Sequence, residues 1–265
     1  MTRHQSRGGT TDRAVAEHPG TNPIQAPGTD EKYWRSWDRW NALPLAHVPD
    51  GGHVVVVAAH PDDEVLGFGG TMALLTARGV ELTVVSVTDG ERSHPRSRIA
   101  TPAILARRRP RELRAALAEL GAGRARIIRL GLPDTEVARH EERIAATLVP
   151  LVREAALVAA PWTGDVHSDH EAAGRAALSA SRQAGVPCPL YPVWMWHWAY
   201  PDDPRVPWEA AARIPLPPRI QALKKAAVDR FATQIRPLGP GPDEAAVLPP
   251  EEIAHHLRAM EVVFQ

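Results

Sequence analysis

From residue 53 onward, short runs of β-branched and apolar residues alternate with longer segments of helical periodicity. Residues 53–58 and 81–87 are the clearest apolar runs, and residues 67–78 between them have the spacing of a helix. Compact apolar strands that alternate with helices indicate a parallel sheet with both faces covered. The sequence therefore predicts an α/β fold, namely a Rossmann-like three-layer α/β/α sandwich with a mostly parallel sheet.

The same alternation continues through the rest of the chain. Further strands are predicted at residues 126–130, at residues 157–160 and within residues 191–200, where an aromatic strand leads into irregular covering loops. Further helices are predicted at residues 102–120, 140–154, 168–184 and 219–231, and from about residue 250. The predicted elements fit one domain with covering loops and helices at its C-terminal end.

The first 30 residues are rich in Gly, Thr, Pro and His and contain little that a core could bury. This composition is typical of a disordered tail, so the predicted domain covers residues 31–265. Residues 33–40 place large aromatic side chains at spacings of three and four, as in a short helix that packs an aromatic stripe against the core.

Charge and cysteine content limit the classes of function. Lysine and arginine total 31, as do aspartate and glutamate, so no net field favours binding to nucleic acid or an anionic membrane. Cys188 is the single cysteine, which excludes an intrachain disulfide and leaves histidines and carboxylates as the main candidates for a metal site. No stretch resembles a signal peptide core or a membrane span, so we expect a cytoplasmic protein.

The first motif that indicates chemistry directly follows the first predicted strand. His60, Asp62, Asp63 and Glu64 come after an uninterrupted run of valines and alanines. Open α/β sheets bind their ligands at the carboxyl ends of strands. A solvated charge run is the alternative interpretation, but such a run seldom follows a buried strand directly. Adjacent carboxylates cannot both point at one atom in an extended segment, so one can bind a metal while the other serves as a base.

A second motif follows the strand predicted at residues 157–160. His167 and His170 share one face at a helix start, and Asp169 is close enough to hydrogen-bond an imidazole nitrogen. Together with His60 and Asp63 at a neighbouring strand end, they predict a metal site. Nitrogen and oxygen ligands without thiolate suit a catalytic Zn²⁺, and Fe²⁺ or Co²⁺ could occupy the same ligands.

The glycines at residues 67–70 suggest a dinucleotide-binding loop as an alternative. The third glycine of that fingerprint falls on Met72, and the carboxylates of Asp62, Asp63 and Glu64 would repel a pyrophosphate. A nucleotide-binding function is therefore disfavoured. The glycines more simply allow a helix to pack closely beneath the acidic loop.

The two motifs together closely resemble the LmbE/PIG-L family of zinc-dependent N-acetylglucosaminyl deacetylases over roughly residues 50–200. The resemblance implies that His60, Asp63 and His170 bind zinc and that Asp62 is the general base. It further implies that His167 stabilises the oxyanion and can protonate the leaving amine, with Asp169 tuning the histidine. Ser168 replaces the proline most often seen at its position in the family, where no ligand is expected.

Two further residues are candidates for contact with substrate. Arg109 opens a segment that resembles the family's Arg-x-x-Glu pattern, although Pro110 within it and the neighbouring arginines leave the register open, and a solvated basic helix is the alternative. His197 lies among the tryptophans of residues 194–198, for which packing and sugar stacking both remain open. The histidines at 255 and 256 are expected on the surface.

The predicted function is metal-dependent hydrolysis of an N-acetyl or related N-acyl group on an amino sugar or a glycosylated small molecule. An amidase that cleaves a larger acyl or thiol-conjugate amide with the same site is the nearest alternative. A carbohydrate-binding module that uses the tryptophans without turnover is an alternative from another class, but binding alone gives no reason for a second carboxylate beside the metal.

Overall fold

The computed structural model describes residues 22–265 and contains one seven-stranded sheet. The strands are β1 (His53–Ala58), β2 (Glu81–Thr88), β3 (Arg126–Leu132), β4 (Leu157–Pro161), β5 (Leu190–Tyr191), β6 (Ala211–Pro215) and β7 (Met260–Phe264). They lie in the order β3-β2-β1-β4-β5-β7-β6. β1 to β5 pair in parallel, and β7 is antiparallel to both of its neighbours. The prediction of a mostly parallel sheet is confirmed.

Helices connect and cover the strands. They are α1 (Glu31–Arg35), α2 (Asp63–Ala77), α3 (Pro102–Glu119), α4 (Glu141–Val152), α5 (Ser168–Ala184), α6 (Met195–Trp198), α7 (Pro218–Val228), α8 (Ala232–Ile235) and α9 (Pro250–His256). Local signals define the ends of the long ones. Thr101 caps α3 just before a proline, and α5 ends where Gly185 adopts φ 69°, a conformation that glycine adopts without strain.

Alternate residues of the central strands face two separate cores. Val54 and Val56 pack with α2, α3 and α7, whereas Val55 and Val57 pack with α4 and α5. A strand buried on both faces needs apolar residues at every position, which explains the uninterrupted valine run. The predicted three-layer sandwich is therefore the observed one.

Helix α2 packs unusually close to its neighbours. A side chain at Gly67 would overlap the Tyr191 ring, and a Cβ at Gly70 would lie 2.5 Å from Leu216. The prediction that these glycines permit close packing beneath the acidic loop is confirmed. This packing fixes the N-terminal end of α2 at the edge of the sheet.

The strand order reverses at β1, which has β2 on one side and β4 on the other. The connections from β1 and from β4 leave the sheet in opposite directions, so the carboxyl ends of these two strands border a crevice. Ligands of open α/β sheets bind at such a switch point.

The aromatic segment near the N-terminus packs as predicted. Trp34, Trp37 and Trp40 are buried, and the Trp34 ring meets Trp196 edge-on at a centroid distance of 5.1 Å. The guanidinium of Arg258 lies 4.3 Å from the Trp196 ring centroid. These contacts attach the N-terminal part of the domain to α6 and to the end of α9.

Residues 191–200 differ from the prediction. The strand there is limited to Leu190–Tyr191, and α6 follows it after Pro192, so the tryptophans belong to a helical turn rather than to one face of a strand. The sequence analysis also did not identify β6 and β7. The expectation that His255 and His256 lie on the surface is wrong, because both are buried, and His255 Nδ1 lies 2.7 Å from Glu31 in α1.

Part of the predicted N-terminal tail lies outside the described residues, namely residues 1–21. Within residues 22–30, Pro23–Gln25 forms a single 3-10 turn. The carbonyl of Ala26 and the amide of Thr29 are hydrogen-bonded to His197. This short stretch therefore lies against the domain.

Candidate active site

The candidate site lies at the carboxyl ends of three strands. His60 follows β1, Asp134 follows β3 and Asp165 follows β4, while His170 lies in the first turn of α5. All four side chains are buried. The two sequence motifs and a third strand end thus meet at one edge of the sheet, beside the switch point.

Three predicted site residues form a triangle of ligand atoms. His60 Nδ1 lies 3.3 Å from His170 Nε2, while Asp63 places Oδ2 3.4 Å from His60 Nδ1 and Oδ1 3.3 Å from His170 Nε2. In a tetrahedral zinc site with bonds of about 2.0–2.2 Å, neighbouring ligand atoms lie about 3.3 Å apart. The two imidazole nitrogens have this spacing, and the Asp63 carboxylate places one oxygen beside each of them, so these side chains could hold one small divalent cation.

The other ring nitrogen of each histidine contacts a carboxylate. His170 Nδ1 lies 2.7 Å from Asp165 Oδ2, and His60 Nε2 lies 3.2 Å from both Asp134 Oδ1 and Asp169 Oδ2. A histidine that binds a metal generally donates its second N–H to an oxygen acceptor, which fixes its tautomer and orientation. This arrangement directs His60 Nδ1 and His170 Nε2 at the same point.

The charge balance of the cluster also favours a cation. Burial alone would lower the pKa of His60, but hydrogen bonds to Asp134, Asp169 and Asp63 raise it well above its usual value. For His170, the charge of Asp63 and the hydrogen bond to Asp165 outweigh burial and raise the pKa to about 9. The surrounding carboxylates therefore stabilise positive charge at the position where the two imidazoles meet.

Asp169 lies beside His60 rather than beside the second-motif histidine that it was predicted to tune. Its carboxylate accepts the N–H groups of Thr135 at 2.7 Å and Val137 at 3.2 Å. His60, Asp134 and Asp169 are close enough to form a second possible ligand group, as are His60, His167 and His170. The first of these groups uses Nε2 of His60, the nitrogen that points away from Asp63.

Asp62 immediately precedes α2 and is paired with Arg109. Its Oδ2 lies 2.9 Å from Arg109 Nη2, which also donates to the Pro61 carbonyl, and Nη1 of the same guanidinium donates to the Gly90 carbonyl at 2.7 Å. Burial raises the pKa of Asp62 to about 6, although the charge of Arg109 opposes this effect. Asp62 and Asp63 point to different partners, as their adjacency predicts.

His167 stacks on His170 with ring centroids 4.4 Å apart. Burial lowers its pKa to about 2, helped by the positive charge of His170 and His60, so the imidazole is neutral at pH 7. Among the described residues, its buried Nδ1 has no hydrogen-bond partner. A buried polar atom without a partner is costly, so Nδ1 is available to a water molecule or a bound group.

Backbone strain is concentrated around the site. Asp62, Thr135 and Val166 adopt φ of 152°, 70° and 64°, and Asp202 is the fourth non-glycine residue with positive φ in the described part of the chain. Positive φ is particularly unfavourable for the β-branched residues. Such strain persists where the surroundings over-determine the geometry, most often at functional sites.

His197 is not brought to the cluster by any contact of its ring. Its Nδ1 lies 2.7 Å from Glu252 Oε2, and its Nε2 lies 2.9 Å from the carbonyl of Ala26. Both partners are acceptors, so a protonated imidazole donates to each. The ring therefore joins α6, α9 and the N-terminal segment.

Two carboxylates of the site were not predicted from the sequence, namely Asp134 and Asp165. Asp134 lies two residues beyond the end of β3, but the predicted strand stopped at residue 130 and so did not direct attention to it. Asp165 lies within the second motif, yet nothing in its spacing shows that it accepts the amides of Val193, Trp194 and Met195 as well as His170 Nδ1. A search for acidic residues just after every predicted strand would have found both.

The protein is an α/β sandwich with a candidate metal centre at the switch point of its sheet. Residues 55–181 match the PIG-L family, described as GlcNAc-PI de-N-acetylase. This part of the chain is therefore a PIG-L family domain, as the resemblance of the two motifs predicts.

Curated relatives include two deacetylases. The chain is 30% identical over 213 residues to 1D-myo-inositol 2-acetamido-2-deoxy-alpha-D-glucopyranoside deacetylase 1 of Catenulispora acidiphila, which covers 69% of this chain and 64% of that relative. It is 30% identical over 139 residues to the diacetylchitobiose deacetylase of Thermococcus kodakarensis, which covers 51% of each chain. The chain thus spans between about half and two thirds of the length of these relatives.

Solved structures support the same fold. A conserved protein of Thermus thermophilus matches with a TM-score of 0.52 and 29% identity, covering 69% of this chain and 79% of that one. The N,N'-diacetylchitobiose deacetylase of Pyrococcus horikoshii matches with a TM-score of 0.53 and 21% identity, covering 78% and 80%. In residues 22–265, every helix is too short or too polar to cross a membrane.

Proposed function

We propose that this protein is a zinc-dependent N-deacetylase that hydrolyses the N-acetyl group of an amino sugar within a small glycoconjugate. The observation that carries the proposal is the ligand triangle of His60, Asp63 and His170 with the separate carboxylate of Asp62 beside it. The cation is assigned to the side of His60 Nδ1, where two imidazole nitrogens and one carboxylate converge, a donor set that suits zinc. Fe²⁺ or Co²⁺ fits the same ligands.

A divalent cation at this site supplies a Lewis acid that acidifies water and polarises an acyl oxygen. Asp62 accepts the proton of the attacking water, and after the carbonyl carbon gains the water oxygen and the C–N bond breaks, it can return a proton to the leaving nitrogen. A pKa of about 6 for Asp62 suits both tasks, because a general base and acid work best near the operating pH. Acetate and the free amine are the products.

Arg109 has a positioning role in this proposal. Its guanidinium donates to Asp62 and to two backbone carbonyls, so it orients the base and limits its rotamers. Its predicted contact with substrate stays a prediction. The predicted contact of His197 with substrate likewise stays a prediction, and its observed contacts favour a different role.

His167 is proposed to stabilise the oxyanion of the tetrahedral intermediate. A neutral imidazole carries one N–H, which can donate to the developing charge in a site where the group is otherwise poorly solvated. The ring stacks on His170, so a proposed metal ligand holds it in position. Asp169 is proposed to act indirectly, by holding His60 and the residues that follow β3.

The class of substrate comes from the relatives, whose names specify N-acetylated glucosamine conjugates. A larger acyl group on the same nitrogen is the alternative that the site chemistry equally allows. A cytoplasmic location, predicted from the sequence, belongs to the proposal as well.

The test combines metal analysis with acetate release. Purified protein should contain close to one zinc per chain. It should release acetate from N-acetylglucosamine conjugates faster than it releases longer acids from the matched conjugates that carry a longer acyl group. Faster release of the longer acids would favour the amidase. Protein that binds zinc but releases no acid from either set would contradict the enzymatic assignment.

A further inference from the structure

A cleft of about 400 Å³ lies beside His167. One wall consists of residues that follow the strands β3 and β4, namely Thr135, Val166 and Ser168. The opposite wall is formed by Asn22, Pro23 and Ile24, which lie far away in sequence. A cleft of this size is within the range of small-ligand sites, about 300–1,000 Å³.

The wall at residues 22–24 has a defined local structure. Asn22 Oδ1 accepts the amide of Ile24 at 3.1 Å, and the Asn22 carbonyl accepts the amide of Gln25 at 2.8 Å. Pro23 occupies the first position of this 3-10 turn, where its fixed φ is favourable. The turn therefore presents Pro23 and Ile24 as a compact unit rather than as a loose chain.

His197 attaches this unit to the domain. Its ring donates to the Ala26 carbonyl, its own carbonyl accepts the Thr29 amide at 2.8 Å, and Glu252 holds the other ring nitrogen. The backbone of Gly28 passes so close that a Cβ there would lie 2.5 Å from His197 Nδ1. We call residues 22–29 the N-terminal strap.

The cleft between the strap and the strand ends is amphipathic. Pro23, Ile24 and Val166 offer apolar surface, and Asn22, Thr135 and Ser168 offer amide and hydroxyl groups, while the lining that the described residues form contains no Lys, Arg, Asp or Glu. Such a lining suits a neutral group with an apolar face and a hydroxylated edge, which describes a pyranose ring. Because His167 lies in the same cleft, that group would be bonded to the substrate whose acyl group reacts.

We infer that the N-terminal strap forms a specificity-determining wall for a second sugar ring attached to the N-acetylated amino sugar, and that His197 is the residue that positions it. This inference rests on the proposed function, because it describes the neighbouring subsite of the same reaction. It gives His197 a role through the strap rather than through the reacting atoms.

The first experiment separates KM from kcat in the full chain loaded with zinc. N-acetylglucosamine is the minimal substrate and N,N'-diacetylchitobiose is the extended one. Gly28→Val should displace the strap and raise KM for the disaccharide about tenfold, with KM for the monosaccharide changed less than about twofold and kcat for both similarly little affected. Gly51→Val is the matched control, because a Cβ at Gly51 meets nothing within 4 Å.

Ile24→Ala removes contact area without disturbing the anchor, so it keeps the test valid if Gly28→Val misfolds. The ratio of KM for the disaccharide to KM for the monosaccharide should rise about threefold. Equal changes for both sugars, or an unchanged KM for the disaccharide in both variants, would overturn the inference.

A labelling experiment distinguishes this inference from the proposed function. In a Cys188→Ser background, the thiol introduced by Ile24→Cys should react with a maleimide more slowly in the presence of the disaccharide, and N-acetylglucosamine at the same concentration should protect it little. Adding Gly28→Val should abolish this protection. Protection without any acetate release would contradict the proposed function alone, whereas acetate release without protection would contradict the strap.

Discussion

Helix α2 contacts buried ionic groups at two neighbouring turns, and the two sets are built differently. At its second turn, Lys224 and Glu261 form an ion pair at 2.6 Å, which we call the core ion pair. At its N-terminal end lies the site cluster, which consists of His60, Asp63, Asp134, Asp165, Asp169 and His170. Both are almost inaccessible to solvent.

The core ion pair is saturated. Glu261 accepts from Lys224 and from the amides of Gly70 and Thr71, and it also accepts the Thr71 hydroxyl. Lys224 Nζ donates in addition to the Leu66 carbonyl at 2.7 Å. One cation faces one anion, and four donors occupy the lone pairs of the carboxylate.

The site cluster has an excess of acceptors and of negative charge. Four carboxylates surround two imidazoles, so negative charge remains in excess even when both imidazoles are protonated. The comparison teaches that burial of charge alone does not mark a functional site in this fold. What distinguishes the site cluster is that its carboxylates are not balanced by positive charge, whereas the charges of the core ion pair are. The predictions below test this difference.

Removal of metal should have the largest effect on activity. Loss of the Lewis acid costs several kcal/mol of transition-state stabilisation, so acetate release should fall at least about 10³-fold after dialysis against a chelator. Stoichiometric Zn²⁺ should restore it. Far-UV circular dichroism should change little. Full activity after complete removal of metal would contradict the assignment of the site cluster as a metal site.

Asp62→Asn should lower kcat by about 10²–10⁴-fold, because general-base catalysis is lost, while zinc content remains the same. Steady-state acetate release and metal analysis measure the two quantities. Asp202→Asn is the matched control, since Asp202 also has a positive φ but lies exposed and pairs with Arg39. A variant at Asp62 with full activity would transfer the role of base to another group.

Lys224→Met should lower the free energy of unfolding by about 3–5 kcal/mol, because it leaves the carboxylate of Glu261 buried without its counter-ion. Denaturant titration measures this loss. The neighbouring Lys225 pairs with Asp229 on the surface, so Lys225→Met should cost less than about 1 kcal/mol. Adding Glu261→Gln to Lys224→Met should recover part of the loss, and equal costs for the two lysines would contradict a structural role for the core ion pair.

Asp165→Asn should weaken zinc binding by about 10–100-fold, because the carboxylate that orients His170 becomes a neutral amide. Competition with a chromophoric chelator gives the affinity. Asp203→Asn provides a control, as Asp203 is a buried aspartate that pairs with Arg205 instead of a proposed ligand. An unchanged zinc affinity in Asp165→Asn would show that His170 is oriented by its other neighbours.

The sequence predicted which residues meet at the sheet edge better than it predicted the elements around them. His60, Asp62, Asp63 and His170 were predicted to lie together because strand ends and motif spacing are local properties, and their roles stay predictions. Asp165 could not be assigned, since its role depends on the amides at the start of α6, and α6 was predicted as part of a strand because its tryptophans have strong β propensity.

Long-range partners explain the remaining differences. His255 lies in an amphipathic segment that favours the surface, but its ring Nδ1–H donates to the carboxylate of Glu31, which lies 224 positions away in sequence. Strand β6 pairs with β7, and β7 pairs with the two-residue β5, and strands this short give no clear periodic signal in the sequence. The parallel half of the sheet was predictable because its strands are buried on both faces and therefore apolar throughout.

Val166 lies in the wall of the cleft with φ 64°, a conformation that valine adopts only under constraint. Val166→Gly should therefore raise the free energy of unfolding by about 1 kcal/mol, which thermal denaturation would measure. It should also lower kcat/KM, because the backbone beside His167 would no longer hold that ring in one position. A loss of stability would contradict the strain. This position is a trade-off for protein engineering. A search for thermostable variants alone would select Val166→Gly early, although the substitution would lower activity.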